Sequence, residues 1–146
     1  MKKEFVMRGM TASGETEVLN FSGNKPGYAY RLTEFIIYPS TNIGGQDWEM
    51  SATVTAGKTA IDPPNPNFNN EGLIATAFNS SSQSTAYPYS GHVVVNDTFL
   101  ITQNLILMVF DTNSTPVNYQ MRFESVKLTD SQQAVSNYKQ YSIFDE

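Results

Sequence analysis

Cysteine is absent from the 146 residues, and histidine and tryptophan occur once each. Without thiols the chain makes no disulfide, no cysteine-ligated zinc site and no thiol nucleophile. A Ser–His–Asp arrangement stays formally open, but no G-x-S-x-G turn presents a serine. His92, beside a strand start, reads as a loop or strand-edge residue. Glycine motifs that cradle phosphate are missing too: neither Gly23 nor Gly44-Gly45 has the needed neighbours. Among the fourteen acids, nothing in the spacing selects a catalytic pair. The expectation is no enzyme and no cofactor.

Positive charge is scarce. Nine Lys and Arg against fourteen Asp and Glu leave a net charge of -5. The densest basic run, Lys2, Lys3 and Arg8, is too thin to neutralise several phosphates, so no nucleic-acid partner is expected. Long apolar runs are missing as well. None reaches the roughly 18 residues of a membrane span, and no apolar segment follows the charged start MKKEFVMRGM. Neither a membrane partner nor a signal peptide is expected.

Asn, Ser and Thr are abundant, 41 of the 146 residues, while charged residues make only 16%. That balance favours turns, neutral polar surfaces and β-structure over solvated helices. The length suits one domain with a core that needs no staples. Residues 1–128 read as an all-β domain, an antiparallel β-sandwich or jelly roll of about eight strands. Residues 129–146 read as a short capped helix followed by an apolar C-terminal tail.

The strand signals are alternations. EFVMR (4–8) and ETEVLNF (15–21) flank a turn at Ala12-Ser13-Gly14. YAYRLTEFIIYP (28–39) is the strongest strand of the first half. Period two puts Tyr28, Tyr30, Leu32, Glu34, Ile36 and Tyr38 on one face, and Ala29, Arg31, Thr33, Phe35 and Ile37 on the other. DWEMSATVT (47–55) sets Trp48, Met50, Ala52 and Val54 toward a core; EGLIATAFN (71–79) reads as a strand or a short helix. LILMVF (105–110) is apolar on both faces, as in a central strand covered on both sides. The link DTNSTP should then join it to VNYQMRFESVKL (117–128) as a hairpin.

IDPPNPNFNNE (61–71) cannot be regular structure, because Pro63, Pro64 and Pro66 fix φ and remove donors. Asp62, Asn65, Asn67, Asn69 and Glu71 offer oxygens at near-alternate positions, a ligand set that suits calcium. The EF-hand order fails, however, and no metal site is assigned. Phe68 in this loop, with Tyr87 and Tyr89 before the next strand, are candidate ligand-loop aromatics.

Thr129-Asp130-Ser131-Gln132 can open a helix as a capping box. About ten residues of helix do not persist alone, so the segment must dock on its own sandwich or on a neighbouring subunit. Tyr138, Tyr141, Ile143 and Phe144 are the candidate partner-docking residues.

NYQMRFESVKLTDSQQAV (118–135) couples a final strand, through a Glu-Ser-Val-Lys-Leu run, to a short capped helix. It resembles the closing segment of small β-sandwich structural proteins of bacterial viruses, marine ones especially. Gly27-Tyr28-Ala29-Tyr30-Arg31-Leu32, entering a long strand, is similar in the same setting. The resemblance implies a virion component at the capsid surface: a decoration or cement protein whose partners are the major capsid protein and its own copies in a homotrimer. The acidic balance suits the outside of a shell rather than its genome-facing side. The alternatives are a single jelly-roll capsid subunit, or a carbohydrate-binding or fibre-tip module.

Overall fold

Eight segments of the chain form strands, several of them with apolar residues at alternate positions. The computed structural model describes residues 3–21, 27–40, 47–57, 59–82 and 89–129. The strands are β1 (Glu4–Thr11), β2 (Thr16–Leu19), β3 (Tyr28–Pro39), β4 (Trp48–Thr55), β5 (Leu73–Ser81), β6 (Tyr89–Val95), β7 (Leu105–Asp111) and β8 (Val117–Lys127). They form a three-stranded sheet in the order β1-β8-β3 and a five-stranded sheet in the order β2-β7-β4-β5-β6. Every named pairing is antiparallel. The expected all-β sandwich is what forms. The C-terminal helix lies outside the described residues.

Only β4–β5 and β5–β6 pair as chain neighbours. The expected hairpin between 105–110 and 117–128 does not form: β7 bonds to β2 and β4, whereas β8 bonds to β1 and β3 in the other sheet. The link at Asp111–Pro116 instead crosses between sheets, with Ser114 at φ 58°. The β1–β2 turn crosses likewise, at Gly14 with φ 82°, a left-handed conformation that glycine adopts without strain.

The two crossings brace each other. The Ser13 hydroxyl accepts from Asp111 N at 2.8 Å, and Gly14 N donates to Val109 O at 2.8 Å. Inside the link, Asn113 N donates to the Asp111 carboxylate at 2.9 Å, and the Thr115 hydroxyl donates to its other oxygen.

β3 departs from strict alternation. Thr33 is an extra residue between Leu32, opposite Phe123, and Glu34, opposite Arg122. The bulge reverses the facing of everything after it. Leu32 therefore shares the inner side with Phe35 and Ile37, not the outer side with Glu34, Ile36 and Tyr38 as uninterrupted period two requires. The Thr33 hydroxyl donates to Arg122 O at 3.2 Å. β7 is also covered less than expected: Leu105, Leu107 and Val109 are buried, but Phe110 on its other face is exposed. Segment 71–79 resolves as strand β5.

Between the sheets, Leu32, Phe35, Met121 and Phe123 meet Met50, Val54, Leu107 and Val109. At one end the rings of Phe5, Phe21, Tyr30 and Phe123 pack with centroids 5.1–6.5 Å apart. At the other, Tyr119 lies over Gly9, where a Cβ would come within 2.9 Å of the phenol oxygen. That hydroxyl bonds to Glu17, whose carboxylate also accepts from the Thr11 hydroxyl at 2.6 Å. Glu17 belongs to the opposite sheet, so the cluster ties the two layers together.

Burial, the hydrogen bond to Glu17 and its negative charge push the Tyr119 phenol from 10.0 up to about 12. An acid whose folded-state value is raised stabilises the fold in full below pH 10 and loses that contribution as pH climbs toward 12. In a spectrophotometric titration, one tyrosine should ionise near pH 12. Tyr119→Phe should abolish that step and flatten the alkaline decline in stability; an unchanged titration would remove the buried phenol from the account.

Candidate functional site

The outer face of the five-stranded sheet carries a groove. Its register lines up one residue from each of four adjacent strands: Phe110 on β7, Ser51 on β4, Phe78 on β5 and His92 on β6. Serine is the smallest of the four, so two phenyl rings stand on either side of a low floor. The Phe78 and His92 rings lie 5.2 Å apart, tilted by 41°.

The proline loop closes one end of this row. Thr53 donates its hydroxyl to Ile61 O at 2.6 Å, and Ala56 N bonds to Gly72 O at 2.7 Å, which folds residues 61–71 back against the sheet. Pro63, Pro64, Pro66 and Phe68 become a wall. Glu49, Ser80 and Thr112 border the other end. The result is a groove of about 540 Å³, within the range of small-ligand sites. No lysine or arginine is among its described lining residues, and Glu49 and His92 are its titratable groups.

Of the aromatics singled out from the sequence, Phe68 takes part and is 66% exposed. Tyr89 opens β6, but only its backbone is described; Tyr87 lies outside the described residues, as do Tyr138, Tyr141, Ile143 and Phe144. Trp48 packs against the core, with its indole N–H on Asn79 Oδ1 at 2.9 Å. Phe78 and Phe110 were not legible as site residues. Only the pairing of β4 with both β5 and β7 brings them to one row, and that pairing is not local.

The oxygens of loop 61–71 mostly serve its own turns. Asn65 Nδ2 donates to Asp62 Oδ2 at 2.9 Å, Asn67 Oδ1 accepts from Asn69 N at 3.0 Å, and Asn70 Oδ1 accepts from Gly72 N at 2.9 Å. Among the described residues, no group of three or more His, Asp or Glu is gathered as a metal site needs.

No protein-family model matches the chain, and neither a curated protein nor a solved structure matches it.

The opposite face of the sandwich differs in chemistry. On the three-stranded sheet, Met10, Asn118 and Tyr38 form one row, and Arg8, Gln120 and Ile36 form the next. Around them lies a hollow of about 650 Å³. Met10, Tyr38 and Ile36 are exposed there, and Val6 is exposed in the row of Arg122 beside it. Further along, Arg122 sits 3.9 Å from Glu4 and 3.8 Å from Glu34, and Arg31 sits 3.6 Å from Glu124. One face thus offers phenyl rings and hydroxyls with a single carboxylate, and the other offers aliphatic surface framed by ion pairs.

Proposed function

We propose that this chain is a virion structural protein that decorates the outside of a capsid, with the major capsid protein and its own copies, as a homotrimer, for partners. The observation that carries the reading is the strand order. β1 pairs with β8, β2 with β7 and β4 with β5, the nested pattern of a jelly roll, an architecture used by viral capsid proteins. The departure is at the remaining pair: β6 bonds to β5 and lies beside β3 without a ladder. The net charge of -5 supports a place on the outer surface rather than against packed nucleic acid.

The outer face of the three-stranded sheet suits the shell contact. Met10, Ile36 and Tyr38 supply apolar area with a polar and charged surround, as at the core and rim of a protein interface. The purified chain should co-sediment with assembled heads that lack it. Met10→Asp combined with Tyr38→Asp should weaken that binding about tenfold or more, and removal of residues 130–146 should weaken it or dissociate the trimer. If full-length chain leaves such heads bare, the decoration role fails. If the double variant binds as well as the parent, the docking face lies elsewhere.

A further inference from the structure

We propose that the groove on the five-stranded sheet binds a neutral saccharide, with one pyranose ring seated between Phe78 and Phe110 above Ser51. Adjacent strands lie about 4.8 Å apart, so the backbones carrying these two rings, with β4 between them, are separated by about 10 Å. That spacing leaves a slot one ring thick. Both rings present accessible surface, Phe78 at 43% and Phe110 at 39% exposed. Phe68 extends the apolar lining from the loop side.

A sugar ring has apolar C–H faces and a hydroxyl-bearing edge, and the lining is divided in the same way. The phenyl faces provide apolar area of defined geometry. Ser51, Ser80, the Glu49 carboxylate and the His92 imidazole supply neutral and anionic hydrogen-bonding groups around the slot. A carboxylate can accept from two neighbouring hydroxyls at once. Charge narrows the ligand further: with Glu49 present and no lysine or arginine among the described lining residues, sulfated and uronic-acid glycans are disfavoured. A protein partner fits less well, because a stable interface buries about 800 Å² on each side, while this groove is scaled to two or three rings.

This inference does not depend on the capsid role. A decoration protein would carry the groove on the side away from the proposed shell contact, since the two features lie on opposite outer faces.

The test uses the full-length chain on an array of neutral malto-, cello-, chito- and manno-oligosaccharides, followed by calorimetric titration with the best of them. At least one should bind with a Kd below about 1 mM. Phe78→Ala and Phe110→Ala should each weaken it about tenfold, and Phe78→Tyr should largely restore stacking. Unchanged melting of the variants would exclude a folding defect. Failure of every oligosaccharide to bind overturns the proposal, as does binding indifferent to both alanine variants. Loss of head binding in these variants, without glycan binding, would assign the groove to a protein partner and also overturn it.

Discussion

Phe123→Ala should lower the free energy of unfolding by about 3–5 kcal/mol, the usual cost of removing a fully buried aromatic side chain. Phe123 has no exposed surface. It sits on β8, the middle strand of the three-stranded sheet, between Phe5 and Leu32 in register. Its ring stacks on Phe5 at 5.3 Å and meets Phe21 edge-on at 5.1 Å. Phe21 is itself pinned, because its N–H donates to Asn104 Oδ1 at 2.6 Å. Tyr30 is held too, by paired backbone bonds of 2.9 and 2.7 Å to Ile101. The neighbours therefore have little freedom to collapse into the space left by alanine, and the cavity cost adds to the lost transfer energy. A domain of this size holds about 5–15 kcal/mol in all, so the variant should show a large fall in denaturation midpoint with an unchanged urea slope. A loss under about 1.5 kcal/mol would mean that the aromatic end repacks, and that the core is centred elsewhere.

That aromatic cluster also marks where the sequence was and was not readable. Period-two alternation marked the strands with a regular buried face, such as Tyr119, Met121 and Phe123 on β8 or Met50, Ala52 and Val54 on β4, but it says little of β6, where Val93 and Val94 are both exposed. Alternation counts residues along one strand and is blind to an inserted one. The bulge at Thr33 therefore moved Leu32 to the other face from the one expected. Partner choice was the larger gap. A turn such as Asp111–Pro116 looks like a hairpin link whether it returns along the same sheet or steps to the other. What decides is which distant strands are waiting: β1 and β3 take β8, while β2 and β4 take β7.

The same non-local pairing governed the candidate site. Phe68 was visible because its loop is rich in proline and asparagine and must lie at the surface. Phe78 and Phe110 looked like ordinary alternating strand residues. Their common slot exists only because Ser51 registers with both. His92, which reads as a loop or strand-edge residue beside a strand start, lies within β6, the outermost strand of the five-stranded sheet, against Phe78. The residues forecast for docking in the tail lie outside the described region, so that part of the reading stays with the experiment on residues 130–146.

Asp111→Ala should cost about 2–4 kcal/mol, although the residue lies at a strand end where surface substitutions usually matter little. Asp111 is 2% exposed, and its carboxylate accepts from the Asn113 amide N–H and the Thr115 hydroxyl. Hydrogen bonds to a charged group contribute roughly 1.5–3 kcal/mol each, and their donors lose a partner when the carboxylate goes. Asn113 is exposed and can turn to water, which holds the total below a simple sum. The larger consequence is topological. This carboxylate shapes the link that carries the chain from the five-stranded sheet into β8, and the backbone of the same residue receives the Ser13 brace from the β1–β2 crossing, 98 positions away in the chain. Closing such distant contacts carries an entropic cost that slows folding. Asp111→Ala should therefore slow refolding if the paired crossings belong to the folding nucleus, and speed unfolding if they close afterwards. Thr115→Ala, which removes one donor and keeps the carboxylate, should cost less than half as much. Equilibrium and stopped-flow denaturation of the two variants decide the matter; equal losses for both would show that the turn is held by its backbone rather than by the buried acid.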